Sequence, residues 1–335
     1  MKIDATVSHD PSETKAGAAR IEAQGYDGVW LGETKHDSFM QMVLAAQATE
    51  KVTIGTSIAI AFARTPMTLA YSAYDMQLYS KGRFVLGLGS QVKAHIEKRF
   101  GMPWSQPAAR MREMVVATKA IFDAWQNGTK LDFRGDFYSH TLMTPFFSPD
   151  PLPWGPPPIY LAGVGELMTE VAAEVCEGFF LHPFTTERYM REVTVPALER
   201  GRAKSGKSLD GFEICATTFA VCATNEADMA KAMAGTKNQI AFYASTPAYR
   251  PVLEAHGWGE LQTELNVMTK QGRWSEIGDL ITDEMVATFG VVGTPEEVGR
   301  GFKARLGDVA GRTGFYAPYS HDPDIWLSVM DAIRS

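Results

Sequence analysis

Four ionisable side chains fall within five residues at Glu33-Thr34-Lys35-His36-Asp37. An imidazole such as that of His36, oriented by Glu33 or Asp37, is the pairing that general acid–base chemistry needs. A solvated, charged loop accounts for the same cluster. His95 and His182 are further candidates, His182 because it directly follows an apolar run; a histidine satisfied by structural hydrogen bonds is the competing reading. Two glycine-rich stretches, Gly87-Leu88-Gly89-Ser90-Gln91 and Ala162-Gly163-Val164-Gly165, would let backbone amides approach a planar ring and a phosphate. Tight turns are the competing reading. Arg64, Lys93, His95, Lys98 and Arg99 offer cations for an anionic ligand. The seven histidines form no HxH or HxxxH pair and no CxxC is present, so no metal site is expected.

The elements that must position these residues alternate. Short apolar or β-branched runs at 3–7, 28–31, 52–60, 84–88, 159–162, 178–181, 212–222 and 314–317 read as strands, separated mostly by helical patterns. Eight strands fit a closed (β/α)8 TIM barrel better than an open doubly wound sheet, and one domain over 1–335 accommodates them. Asp10-Pro11-Ser12-Glu13, Thr65-Pro66, Thr246-Pro247 and Thr294-Pro295-Glu296-Glu297 predict helix starts at the four prolines, and Gly25 predicts the end of the first helix. Insertions are expected at about 127–158, a hairpin around 133–138 followed by a proline-rich connection, and at about 246–290, which is helical. In a barrel they sit over the C-terminal face, where pockets form.

The totals bound the partners. The formal net charge of −7 argues against nucleic acid and anionic membrane. Cys176, Cys215 and Cys222 lie in apolar or strand-like stretches and read as buried free thiols. The N-terminal residues run straight into a strand pattern without the apolar core of a signal peptide, and no apolar run reaches spanning length, so a cytoplasmic protein is expected.

Ser80-Lys81-Gly82-Arg83-Phe84 leading into Gly87-Leu88-Gly89, one helix after Gly55-Thr56, resembles the luciferase-like superfamily of flavin and deazaflavin oxidoreductases. Pro158-Ile159-Tyr160-Leu161-Ala162-Gly163-Val164-Gly165, Glu177-Gly178-Phe179 and Gly293-Thr294-Pro295-Glu296-Glu297-Val298 before its last helix extend the likeness over most of the chain. The resemblance implies a cis peptide at Ser57–Ile58, forming a bulge behind the cofactor ring, with Gly89, Ser90, Gln91, Ala162, Gly163, Val164, Gly165 and His182 around the cofactor. It implies that a proton donor is to be sought at Glu33, His36 or His95. Thr34 after Glu33, and Val92 where the sugar-phosphate dehydrogenases of the family carry a glutamate, speak against sugar-phosphate oxidation.

Through Ser90-Gln91-Val92-Lys93-Ala94-His95-Ile96 and Leu181-His182-Pro183-Phe184-Thr185-Thr186 the chain resembles the deazaflavin branch. This implies coenzyme F420, hydride exchange with a small organic substrate, and a homodimer. The alternative is an FMN-dependent monooxygenase that uses reduced flavin and oxygen and is served by a separate reductase; a non-catalytic flavin-binding relative is a third reading. A two-carboxylate hydrolase needs paired acids at two strand ends, and only Glu33 stands out.

Overall fold

Proline and a capping oxygen start helices where the sequence chemistry places them. In the computed structural model, which describes residues 1–335, the first helix runs Pro11–Ala23 with the Asp10 carboxylate accepting from Ser12 N at 2.9 Å. Gly25, at φ 83°, follows it in the left-handed region. Pro66–Tyr79 and Pro295–Leu306 begin with reciprocal capping boxes, Thr65 with Thr68 and Thr294 with Glu297. Pro247 departs from expectation: it opens only a 3-10 turn, Pro247–Tyr249, before a short helix Arg250–Glu254. Pro251 lacks the N–H that a continuous helix would use there. A further helix, Ile325–Arg334, follows the one begun at Pro295.

The strands are β1 Lys2–Thr6, β2 Gly28–Leu31, β3 Thr53–Thr56, β4 Ala59–Ile60, β5 Phe84–Gly89, β6 Phe133–Arg134, β7 Ser139–His140, β8 Ile159–Gly163, β9 Gly178–Leu181, β10 Glu213–Cys222, β11 Gly290–Gly293 and β12 Arg312–Tyr316. Their order is β11-β10-β12-β1-β2-β3-β5-β8-β9, with β9 also pairing β10, so the sheet closes as an eight-stranded parallel barrel flanked by helices. The expected strand at 52–60 is interrupted after Thr56, and β4 resumes the pairing with β5. The expected hairpin at 133–138 forms with its second strand slightly later, at β7. β11 was not expected; it is four residues long, bounded by glycines, and pairs with Phe219–Cys222, the end of β10. No helix is long and apolar enough to cross a membrane.

The chain divides into two compact units. One comprises residues 2–180 and 197–213. Its interior is aromatic: Trp30 meets Phe180 edge-on at 5.2 Å, and Tyr160 lies 5.7 Å from Phe180. Glycines make that room, since a Cβ at Gly55 would overlap the Trp30 ring and one at Gly87 would overlap the Thr56 carbonyl. The other unit comprises residues 181–196 and 214–335. Its core packs Phe184, Phe219, Val221, Ile240, Leu253, Leu265 and Phe289, all at most 1% exposed. All three cysteines are buried and free.

Candidate active site

In the first unit the ends of β2 and β3 are stitched across the Ser57–Ile58 peptide, which is cis. Ser57 N donates to Leu31 O at 2.8 Å, and Glu33 N donates to Ile58 O at 3.0 Å. The Glu33 carboxylate then closes the turn: Oε2 accepts from Ile60 N at 2.8 Å and from Arg64 Nη1 at 2.7 Å, while Oε1 accepts from Arg64 Nη2 at 2.9 Å. Arg64 also donates to Ile60 O and to Asp37 Oδ2, and lies 5.4 Å from the Phe39 ring centroid. The Glu33 and Arg64 side chains are 9% and 17% exposed, so the ion pair is largely shielded from water. From beneath, Gly89 admits Ile58: a Cβ there would stand 2.7 Å from Ile58 Cγ1. Thr56 Oγ1 donates to Gly87 O at 2.7 Å and accepts from Gly87 N at 3.0 Å, tying β3 to β5. Ser57 and Ile58 themselves keep accessible surface.

The structure places the expected site residues as follows. Both oxygens of Glu33 are engaged, with Arg64 and with Ile60 N, and the carboxylate braces the turn. His36 is exposed, and neither Glu33 nor Asp37 orients it, since Arg64 takes Glu33 while Asp37 divides between Arg64 and the amides of Phe39 and Met40. His95 is likewise exposed, on the short helix Lys93–Lys98. A Cβ at Gly89 would meet Ile58, and one at Gly163 would meet Met168 and Phe179. Ser90 and Gln91 turn inward on the chain: Ser90 Oγ donates to Gln91 O, and Gln91, at φ 59°, accepts from Val92 N through Oε1.

Ala162 and Gly163 end β8, Val164 follows, and Gly165 precedes the helix Glu166–Val175. No side chain caps that helix, and a Cβ at Gly165 would meet nothing within 4 Å. The first amides of a helix in open space are suited to an anion such as phosphate.

In the second unit His182 is fully engaged. Its Nδ1 accepts from Phe184 N at 3.0 Å, its Nε2 lies 3.0 Å from the Tyr249 hydroxyl, and its ring stacks on Tyr249 and meets Tyr243 edge-on, both at 4.8 Å. Burial pushes it down to about 4, so it is neutral at physiological pH. The hydroxyls of Tyr243 and Tyr316 are 2.9 Å apart, and burial raises both, as it does Tyr249. Tyr249 and Tyr316 were missed in the sequence; the only signals were that Tyr316 stands at the end of the last strand and Tyr249 just after Thr246-Pro247. Tyr243, on the helix Glu226–Ala244, belongs to the same cluster. Phe242 and Trp274 are about half exposed and pair with each other at 6.2 Å, and Trp258 stacks on His256.

Residues 2–311 match the family described as luciferase-like monooxygenase. The chain is 47% identical over 312 residues to an uncharacterized protein of Mycobacterium tuberculosis, covering 93% of this chain and 92% of that one. It is 28% identical over 297 residues to a putative coenzyme F420-dependent oxidoreductase of the same organism, covering 84% and 83%. The structure of the coenzyme F420-dependent tetrahydromethanopterin reductase from Methanopyrus kandleri superimposes with a TM-score of 0.78 at 21% identity, covering 99% of this chain and 97% of that one. With a barrel whose third strand breaks at a cis Ser57–Ile58 bond and a family match over nearly its whole length, the chain belongs to the luciferase-like monooxygenase family.

Proposed function

We propose that the protein is an oxidoreductase that uses coenzyme F420 to exchange a hydride with an organic substrate. The observation that carries this reading is the braced turn at Ser57–Ile58, a surface for a planar ring held by Glu33 and Arg64 at the C-terminal end of β3, where barrel enzymes place their chemistry. The 28% identity to a putative F420-dependent oxidoreductase over most of both chains supports deazaflavin as the cofactor.

The residues present fit such a group. Ser57 and Ile58 offer partly accessible surface to the ring, and Glu33 and Arg64 keep that surface in place. The uncapped amides at Glu166–Val175, with open space at Gly165, suit the phosphate of the cofactor tail. Lys93 and Lys98 are exposed cations that add to the attraction for an acidic tail. When bound, the deazaflavin supplies a two-electron hydride donor or acceptor. The protein's own part is to bind, orient and shield.

The family's description as monooxygenases supports a second reading, reduced FMN with oxygen. The two separate cleanly. Purified protein is given reduced F420 carrying deuterium at its reactive carbon, under argon, with a panel of ketones and aldehydes. Deuterium on carbon in the alcohol product is the expected result. Turnover only with reduced FMN and oxygen would replace this reading with the second.

A further inference from the structure

The second unit carries two adjoining open clefts that share Glu187, Ala287 and Arg305. The first, of about 480 Å³, is lined by charge: Arg188, Arg191 and Arg305 stand with Glu187 and Glu192, and His256 completes the wall. The second is lined mainly by small apolar groups, Ala287, Val291, Val292, Gly301 and Ala304. Arg191 and Glu192 belong to Met190–Thr194, which winds as a π-helix, an uncommon turn that recurs at functional sites.

Arg305 joins the two clefts. It stands in the last turn of the helix Pro295–Leu306 and is only 8% exposed. Its Nη1 donates to Gly290 O at 3.3 Å and its Nη2 to Thr288 O at 2.9 Å, which leaves the other guanidinium donors without a protein acceptor and the charge without a carboxylate. The neighbouring acids are taken: Arg191 holds Glu187 and Asp308, and Arg188 holds Glu192. Burial outweighs the field of Glu187 and lowers Arg305 to about 10. His256 adds no charge, because burial and then the nearby Arg188 hold it below the usual histidine range; its Nε2 lies 2.8 Å from Thr186 Oγ1. Three arginines against two glutamates leave the first cleft with one positive charge in excess. A buried guanidinium without a counter-charge is costly to keep, and an anion entering the cleft would offset that cost.

We propose that Arg305 binds the carboxylate of a small monoanionic ligand whose short apolar chain lies in the adjoining cleft along Val291, Val292 and Ala304. One excess positive charge matches one carboxylate, whereas a phosphate dianion would bring a second negative charge towards Glu187 and Glu192. A guanidinium is the group best suited to hold a carboxylate through several donors at once. The apolar lining of the second cleft favours a hydrocarbon chain over water. This site shares no residue with the surface proposed for the cofactor, and it stands or falls independently of the deazaflavin reading.

The test is calorimetric titration of the full-length protein with hexanoate, with hexanol and inorganic phosphate as comparison probes. The variants are Arg305→Met, Ala287→Glu and a control in the other unit, Arg134→Met, which removes an exposed arginine. Ala287 is exposed on the helix Asp283–Phe289 and lines both clefts, so a glutamate there adds a negative charge without entering the core and keeps the test decisive if Arg305→Met does not fold. The wild type and the control are expected to bind hexanoate saturably and more tightly than phosphate. Hexanol should bind the wild type roughly tenfold more weakly than hexanoate, as loss of a hydrogen bond to a charged group predicts, and a folded Arg305→Met should lose hexanoate by a similar factor or more. Ala287→Glu should weaken hexanoate binding, and hexanoate should raise the Tm of the wild type more than that of this variant. A wild type that does not bind hexanoate, equal affinity for hexanol, or wild-type affinity in Ala287→Glu or Arg305→Met overturns the proposal. Tighter binding of phosphate overturns the carboxylate assignment.

Discussion

Arg64 and His182 illustrate how single residues here are defined by their partners. Arg64→Met strips the counter-charge from a Glu33 carboxylate that is 9% exposed, and is expected to cost about 3 kcal/mol. Arg191→Met, which breaks an exposed pair with Asp308, is expected to cost under about 1 kcal/mol. Urea denaturation of both variants checks the contrast, and equal losses would mean that Arg64 is not a buried brace. His182 carries a pH dependence. Burial lowers it from 6.5 to about 4, so between these values the unfolded chain binds a proton that the folded chain refuses. The stability it contributes is complete above pH 6.5 and is lost as pH falls towards 4, by up to about 3 kcal/mol. Between pH 7 and pH 4.5 the wild type should therefore lose about 2 kcal/mol more than His182→Phe; parallel losses would contradict the assignment. At this scale the sequence was least informative. It drew attention to the Glu33–Asp37 cluster by charge density, but charge density does not reveal that Arg64, 31 positions after Glu33, would occupy the carboxylate. Tyr249 acquires its meaning only from a ring 67 residues away.

Elements were far more legible, because capping and alternation are local. Pro11, Pro66 and Pro295 start helices for reasons contained in four consecutive residues. Thr294→Ala, which removes one such cap, is expected to lower stability by about 1 kcal/mol, measured by thermal denaturation. The short strand β11 escaped notice because Gly-Val-Val-Gly offers too few residues to show a period; it exists through its pairing with the end of β10. The break at Ser57–Ile58 was legible only through family resemblance, since Val52 to Ile60 reads as one apolar strand. One element tests the cofactor reading directly. Gly165 has φ −89° and open space around a Cβ, so Gly165→Asp should fold as well as the wild type, its carboxylate capping the following helix. The added negative charge would occupy and repel at the proposed phosphate position, and F420 affinity should fall at least tenfold, as read by fluorescence quenching. Unchanged affinity would move the phosphate elsewhere.

On the scale of the whole molecule, eight alternating strands sufficed to read a barrel, and the barrel confines chemistry to its C-terminal strand ends. The fold is shared by reductases and monooxygenases alike, so the architecture leaves the cofactor to be settled by the site. The central claim is that this site takes a deazaflavin. Its most direct test is a side-by-side titration of the purified protein with F420 and with FMN, each oxidised and reduced, following quenching of cofactor fluorescence or of the tryptophans. Saturable binding of F420 with no comparable binding of FMN is the predicted result. Selective binding of reduced FMN, or of neither cofactor, would contradict it.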